Sequence, residues 1–191
     1  MRIVAERAIV RPAALAASGT ASSMPVSAKK QNGAAFDSEA QLVETLLGIV
    51  GRRTTPWGRL QTVTEWDYRT GITDVLARTP CNELIAFEAK LSDWRRGCHQ
   101  AYKNTTFAVR AYVVLPEPVA VRAEAYSETF ARYGIGLCAC STRNISVLIE
   151  ARAKEPLMAW LTNRAHTTFD GMLDANTNGL GGRRRIRLQA A

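Results

Sequence analysis

Two acids and a lysine stand at spacings that could assemble one polar site. Asp74 lies in the run 72–79, and Glu88 and Lys90 lie in Phe87-Glu88-Ala89-Lys90. If residues 72–79 and 83–90 form an antiparallel hairpin around a Pro80-Cys81-Asn82 loop, opposed positions sum to 162 and Asp74 faces Glu88. The period of two puts Lys90 on the Glu88 face. Directly opposed Cβ atoms are roughly 4.5–5.5 Å apart, so like charges there are destabilising unless something positive lies between them. A hard divalent cation, Mg²⁺ or Mn²⁺, resolves that cost because it takes carboxylate oxygens and keeps several waters.

The acid-x-Lys triplet alone decides little. A chain with 17 acids and 5 lysines in 191 residues yields one roughly 0.4 times by chance. An exposed Glu88–Lys90 ion pair, worth under about 1 kcal/mol, is the plainer reading. The context favours a site: the triplet is unique, sits in an apolar run, opposes a second acid across a turn, and precedes a capped helix with basic residues.

The elements that must position these groups are legible from periodicity. Residues 37–50 read as a helix opened by Asp37 or Ser38, with Ser38 and Gln41 in a capping-box pattern. Leu42, Val43, Leu46, Leu47, Ile49 and Val50 share its apolar stripe, and Glu39 falls near the stripe's centre. A first-turn carboxylate is also favoured by the helix dipole, so Glu39 admits both a functional and a stabilising reading. Strands are predicted over 61–67, 72–78 and 83–91. A helix from Ser92 or Asp93 to about residue 108 places Trp94, Cys98, Ala101 and Thr105 inward and Arg96, His99, Gln100 and Lys103 on another face. A strand over 111–115, a helix over 119–133, strands near 135–140 and 145–150, and a helix over 156–169 complete an α, β, β, β, α, β, α, β, β, α order.

Asp74 followed by Phe87-Glu88-Ala89-Lys90 resembles the signature of the PD-(D/E)xK nuclease superfamily, and the αβββαβ order over about residues 36–116 is similar to its core. The resemblance implies an α/β, restriction-endonuclease-like core: a mixed central sheet flanked by helices, here with a C-terminal α, β, β, α extension. It implies that Asp74 and Glu88 are metal ligands, that Lys90 orients the attacking water or stabilises charge, and that Glu39 completes the site. Gln100 resembles the glutamine of the following helix in several branches. Thr73 stands where the nominal proline would be, and Asn104 where some branches carry a tyrosine.

Such a set suits phosphodiester hydrolysis: a cation held by Asp74 and Glu88 would polarise a phosphate oxygen and acidify a water, with Lys90 near the developing charge. The activity expected is that of a metal-dependent nuclease acting on DNA. A second reading is a nucleic-acid-binding or regulatory module that kept the fold without turnover, and a third is a generic α/β protein with a chance motif, which Asp74 and Glu88 on different faces would favour. Arg95, Arg96 and Lys103 on the helix, with Arg52, Arg53 and Arg59 in the loop after the first helix, are the candidate phosphate contacts.

Composition sets the frame. With 47% apolar and 22% charged residues the chain is globular in type, and its length suits one domain with tails. The net charge of +8 raises the prior for a polyanionic partner. That excess lies outside the body. Residues 1–35 carry Arg2, Arg7, Arg11, Lys29 and Lys30 against Glu6, and the end carries Arg183, Arg184, Arg185 and Arg187, which leaves 36–182 neutral. The expected organisation is a flexible basic tail over 1–35, one domain over 36–175, and a flexible Gly/Arg-rich tail over 176–191. Glu6, Arg7 and Arg11 interrupt what would be a signal peptide's apolar stretch, and Met24 is an alternative start. No run approaches the length of a membrane span. Cys81, Cys98, Cys138 and Cys140 match no paired zinc spacing and read as free thiols, which suits the cytoplasm. A homodimer is compatible with the sequence and not specified by it.

Overall fold

A computed structural model describes residues 36–52 and 55–184, with side chains through residue 172. The first helix, α1 (Glu39–Val50), starts where Ser38 leaves helical geometry at φ −151° and its hydroxyl accepts from Gln41 N–H at 3.1 Å. Gln41 Oε1 reaches back to Asp37 N–H at 2.6 Å, one residue earlier than in a standard capping box. Leu42, Leu46, Ile49 and Val50 form the buried stripe.

Three antiparallel strands follow: β1 (Gln61–Asp67), β2 (Ile72–Arg78) and β3 (Leu84–Ala89). The β2–β3 loop is the expected three-residue one. Thr79 N–H bonds Glu83 O at 2.9 Å, Thr79 Oγ1 accepts from Glu83 N–H at 3.0 Å, and Asn82 takes the left-handed φ of 66° that this turn requires. The helix α2 (Trp94–Asn104) is capped by Asp93, which accepts from Arg96 N–H at 3.1 Å, and it ends four residues short of the expected boundary. It crosses over to β4 (Arg110–Pro116), parallel to β3.

The single helix expected over 119–133 is two: α3 (Glu117–Glu124) and α4 (Ser127–Tyr133). Tyr126 breaks the run at φ −102°, ψ 30°, and its ring packs 4.9 Å from that of Trp94 on α2. Gly134, at φ 68°, closes α4 in the left-handed conformation and leads to β5 (Gly136–Cys140), parallel to β4, and then β6 (Ile145–Ile149), antiparallel to β5. The last helix, α5 (Ala159–Arg184), runs past the expected end at residue 169 and into the segment expected as a tail from 176. Its Leu161, Ala165 and Phe169 are buried at helical spacing, and Arg78 of β2 pairs with its Asp170 at 2.6 Å.

The result is a mixed α/β fold: a six-stranded mixed sheet in the order β1-β2-β3-β4-β5-β6 with five helices among the described residues. One face carries Leu76, Ala86, Val113, Leu115 and Leu137 under α2, α3, α4 and α5; the other carries Val75, Ile85, Phe87, Tyr112 and Val114 under α1. Strands buried on both faces explain the near-continuous apolar runs of β3 and β4. No described helix is long and apolar enough to cross a membrane.

Candidate functional site

The hairpin register is the one the sequence predicts: Val75↔Phe87, Leu76↔Ala86, Ala77↔Ile85 and Arg78↔Leu84 all sum to 162. Pairing stops at Val75, one residue before Asp74. Hydrogen-bonded pairs recur by twos from Thr79/Glu83, so Ala89 N–H should meet the carbonyl of residue 73. Asp74 Oδ2 takes that proton instead, at 2.8 Å. The strands part here, and a carboxylate replaces a backbone acceptor.

The faces also slip at this point. Paired residues share a face, and Val63↔Leu76 and Trp66↔Thr73 lie on the α2 side, since Val63, Leu76 and Trp66 all join its core. Thr73 and Leu76 are three apart, where strict alternation would oppose them. The slip falls on Asp74 and on its β1 neighbour Glu65, whose φ is 51°. This corrects the expectation that Asp74 and Glu88 stand face to face. Thr73 takes the place beside Glu88, and Asn104 Nδ2 donates to both, at 3.0 Å to Thr73 Oγ1 and 2.6 Å to Glu88 Oε1. Asp74 lines a cleft of about 360 Å³ under α1, with Glu39, Glu44 and Glu65 on its rim and Val43 and Leu47 on its floor.

Lys90 joins the two sides. Its stem is buried, and its Nζ lies 3.5 Å from Asp74 Oδ2 and 3.4 Å from Glu39 Oε2 while donating to Ala89 O at 2.8 Å. Glu39 is on the inward stripe one turn before Leu42, yet its side chain is 51% exposed. Gly97 of α2 backs the lysine: a Cβ there would stand 3.2 Å from Lys90 Cγ and 2.9 Å from Val113 Cγ1.

Glu88 is fully buried. Burial and then the Asp74 charge push its carboxyl up from 4.5 to about 7, against the Asn104 hydrogen bond and the Lys90 charge. Its Oε2 is buried with no hydrogen-bond partner, as are Asn104 Oδ1 and Gln100 Oε1. Gln100 is one turn before Asn104 on α2.

Of the expected residues, the structure gathers Glu39, Asp74 and Lys90 within salt-bridge reach and sets Glu88 behind them, held by Asn104. Arg96 and Lys103 are exposed on α2, and Arg52 is exposed after α1. Arg95 folds over Trp94, 4.3 Å from its ring centroid. Arg53 lies outside the described residues. Asn104 and Thr73 were not anticipated as parts of the site. The available signal was spacing: Gly97, Ala101 and Asn104 continue one buried stripe, on which an amide needs a polar partner.

No family model matches the chain, and no curated protein matches it in sequence. A solved structure of a protein of unknown function from Silicibacter pomeroyi is similar at a TM-score of 0.48 and 12% identity, covering 69% of this chain and 86% of that one. A repair endonuclease from Pyrococcus abyssi is similar at a TM-score of 0.29 and 16% identity, covering 44% of this chain and 39% of that one. At these values neither likeness contributes to the functional reading below.

Proposed function

We propose that the chain is a divalent-metal-dependent nuclease with a restriction-endonuclease-like core, hydrolysing phosphodiester bonds of DNA. The observation that carries this is Glu88, a fully buried carboxyl with one oxygen unpartnered, whose ionisation the Asp74 charge opposes. A bland core would not keep Glu88 where burial and the nearby Asp74 charge both oppose its ionisation. Hydrogen bonds from Asn104 Nδ2 and Ala89 N–H fix one oxygen of each acid and leave the other available.

This donor set fits Mg²⁺ or Mn²⁺, which are satisfied by one or two carboxylates plus water. Asp74 and Glu88 would hold the ion. Among the described residues, no group of three or more His, Cys, Asp or Glu is gathered to hold a metal, so water and substrate oxygens would complete its shell. When bound, the ion supplies polarisation of the phosphate and a more acidic water. Lys90 presents its ammonium to the nucleophile or to developing phosphoryl charge, and Glu39, Asp74 and Ala89 O keep that ammonium in place. Thr73 and Asn104 hold Glu88, and Gln100 offers a further buried acceptor. Arg96 and Lys103, exposed on the helix that supports the site, and Arg95, folded over Trp94, would be the contacts to backbone phosphates.

The test is cleavage of supercoiled plasmid and of single-stranded DNA with Mg²⁺ or Mn²⁺ against EDTA. Metal-dependent cleavage that disappears in Asp74→Ala and Lys90→Ala is expected. DNA binding with no cleavage above those variants would make the chain a binding module without turnover.

A further inference from the structure

The side of α2 turned away from Lys90 carries a second arrangement of groups. Arg95, Cys98, His99 and Tyr102 fall at i, i+3, i+4 and i+7, a single stripe facing α4. Opposite them stand Tyr126, Thr129 and Tyr133. The two helices enclose an open cleft of about 200 Å³ with Trp94 in its wall, room for one flat ring system and too small for a drug-sized ligand.

Its walls are aromatic and cationic, and no acid lines it. Tyr126 is half exposed, with its ring 4.9 Å from Trp94; His99 meets the Tyr133 ring edge-on at 5.7 Å, and Tyr102 lies 5.3 Å from Tyr133. The Arg95 guanidinium forms the lip, 4.3 Å over Trp94 and 5.2 Å over Tyr126, and Lys154 Nζ sits 5.6 Å over Tyr102. The cleft under α1 is the electrostatic opposite, rimmed by Glu39, Glu44, Glu65 and Asp74. Until a cation neutralises those acids a phosphate backbone is repelled there, whereas it is attracted here.

Flat aromatic faces accept any nucleobase by stacking, and a guanidinium at the lip suits the attached phosphate. We propose that the α2–α4 cleft binds one unpaired nucleobase, so that the substrate reaches Lys90 as a single-stranded or locally opened segment. This rests on the nucleic-acid part of the proposed function. The same helix carries both features: Gly97 lies against the Lys90 stem and Asn104 holds Glu88, while Arg95 and His99 face the cleft.

The test uses the full chain in EDTA and fluorescence anisotropy with three labelled probes: a twelve-residue oligothymidylate, an abasic oligomer of equal length and charge, and a twelve-base-pair duplex. Oligothymidylate should bind at least about fivefold more tightly than the abasic oligomer, the low end of what stacking one base contributes. Tyr126→Ala and His99→Ala should each erase most of that preference. Tyr126→Phe keeps the ring and should retain it, which separates stacking from disturbance of the fold. Equal binding of the thymidylate and abasic oligomers, or a preference unchanged in Tyr126→Ala, overturns this site and leaves the nuclease reading standing if plasmid is still cut. Failure to bind any of the three probes overturns this site, and together with no cleavage of plasmid in Mg²⁺ or Mn²⁺ it overturns both.

Discussion

The sharpest consequence of the site's electrostatics is an inverted pH dependence of folding. Most carboxyls in folded proteins are held by partners that favour their charge, and stability falls as acid protonates them. Glu88 is the reverse case. Its folded carboxyl is raised from 4.5 to about 7, so between those pH values the folded chain keeps a proton that the unfolded chain releases. Stability from this group is therefore full below about pH 4.5, falls as pH rises, and is lost above about 7. A rise of that size corresponds to about 3 kcal/mol, at about 1.4 kcal/mol per pH unit. Glu88 is completely buried, so solvent screening takes little of it. Urea denaturation in EDTA at pH 5, 6, 7 and 8, for wild type and Glu88→Gln, isolates the effect. The amide keeps an acceptor for Asn104 and cannot ionise. His166 contributes with the opposite sign, because burial lowers its pKa and acid destabilises its folded form; it cancels in the difference. Glu88→Gln should gain on wild type by roughly 2–3 kcal/mol from pH 5 to pH 8, the remainder of the effect falling below pH 5. Parallel profiles for the two proteins would refute the assignment of Glu88 as a buried acid that resists ionisation.

The other predictions concern neighbours of the same group. Mg²⁺ should raise the melting temperature of wild type at pH 8 and scarcely at pH 5.5, where Glu88 keeps its proton, and Asp74→Asn should shrink the shift at pH 8; a shift independent of pH would remove Glu88 from the ligand set. Asn104→Ala strands Glu88 Oε1 and Thr73 Oγ1 and should cost about 2–3 kcal/mol by urea titration, more at pH 8 than at pH 5 because the lost hydrogen bond favours the ionised acid. Gly97→Ala forces a methyl against Val113 and Lys90 and should cost about 1–3 kcal/mol, with cleavage reduced through Lys90. Gly48→Ala, where a Cβ meets nothing within 4 Å on the exposed side of α1, should instead stabilise by up to about 1 kcal/mol.

Much of this arrangement was legible in the residues. The Pro80-Cys81-Asn82 loop fixes the hairpin register, and Ser38 fixes the start of α1 over the strand ends. Alternation could not disclose the slip at Asp74 and Glu65, because β1 and β2 change face together, in unbroken register and without an inserted residue. The break at Tyr126 was hidden for a similar reason: residues 119–133 keep a helical pattern, and what ends α3 is a ring drawn onto Trp94 of another helix. Asn104 looked like a departure from a familiar pattern, and its value emerged only with the buried carboxylate it serves. The length of α5 beyond Phe169 carried no apolar stripe to announce it.

Asp74 accepts the Ala89 amide proton as a strand partner would, so one oxygen serves the backbone while the same carboxyl is the proposed metal ligand. Substituting alanine there removes a stitch between two strands together with the proposed ligand, whereas asparagine keeps an acceptor at the seam. The Ala89 amide is in turn a spectroscopic gauge placed by the fold itself. Whatever draws on Asp74, whether a proton, a cation or the ammonium of Lys90, will be registered in the shift and exchange rate of a backbone proton that takes no part in the reaction.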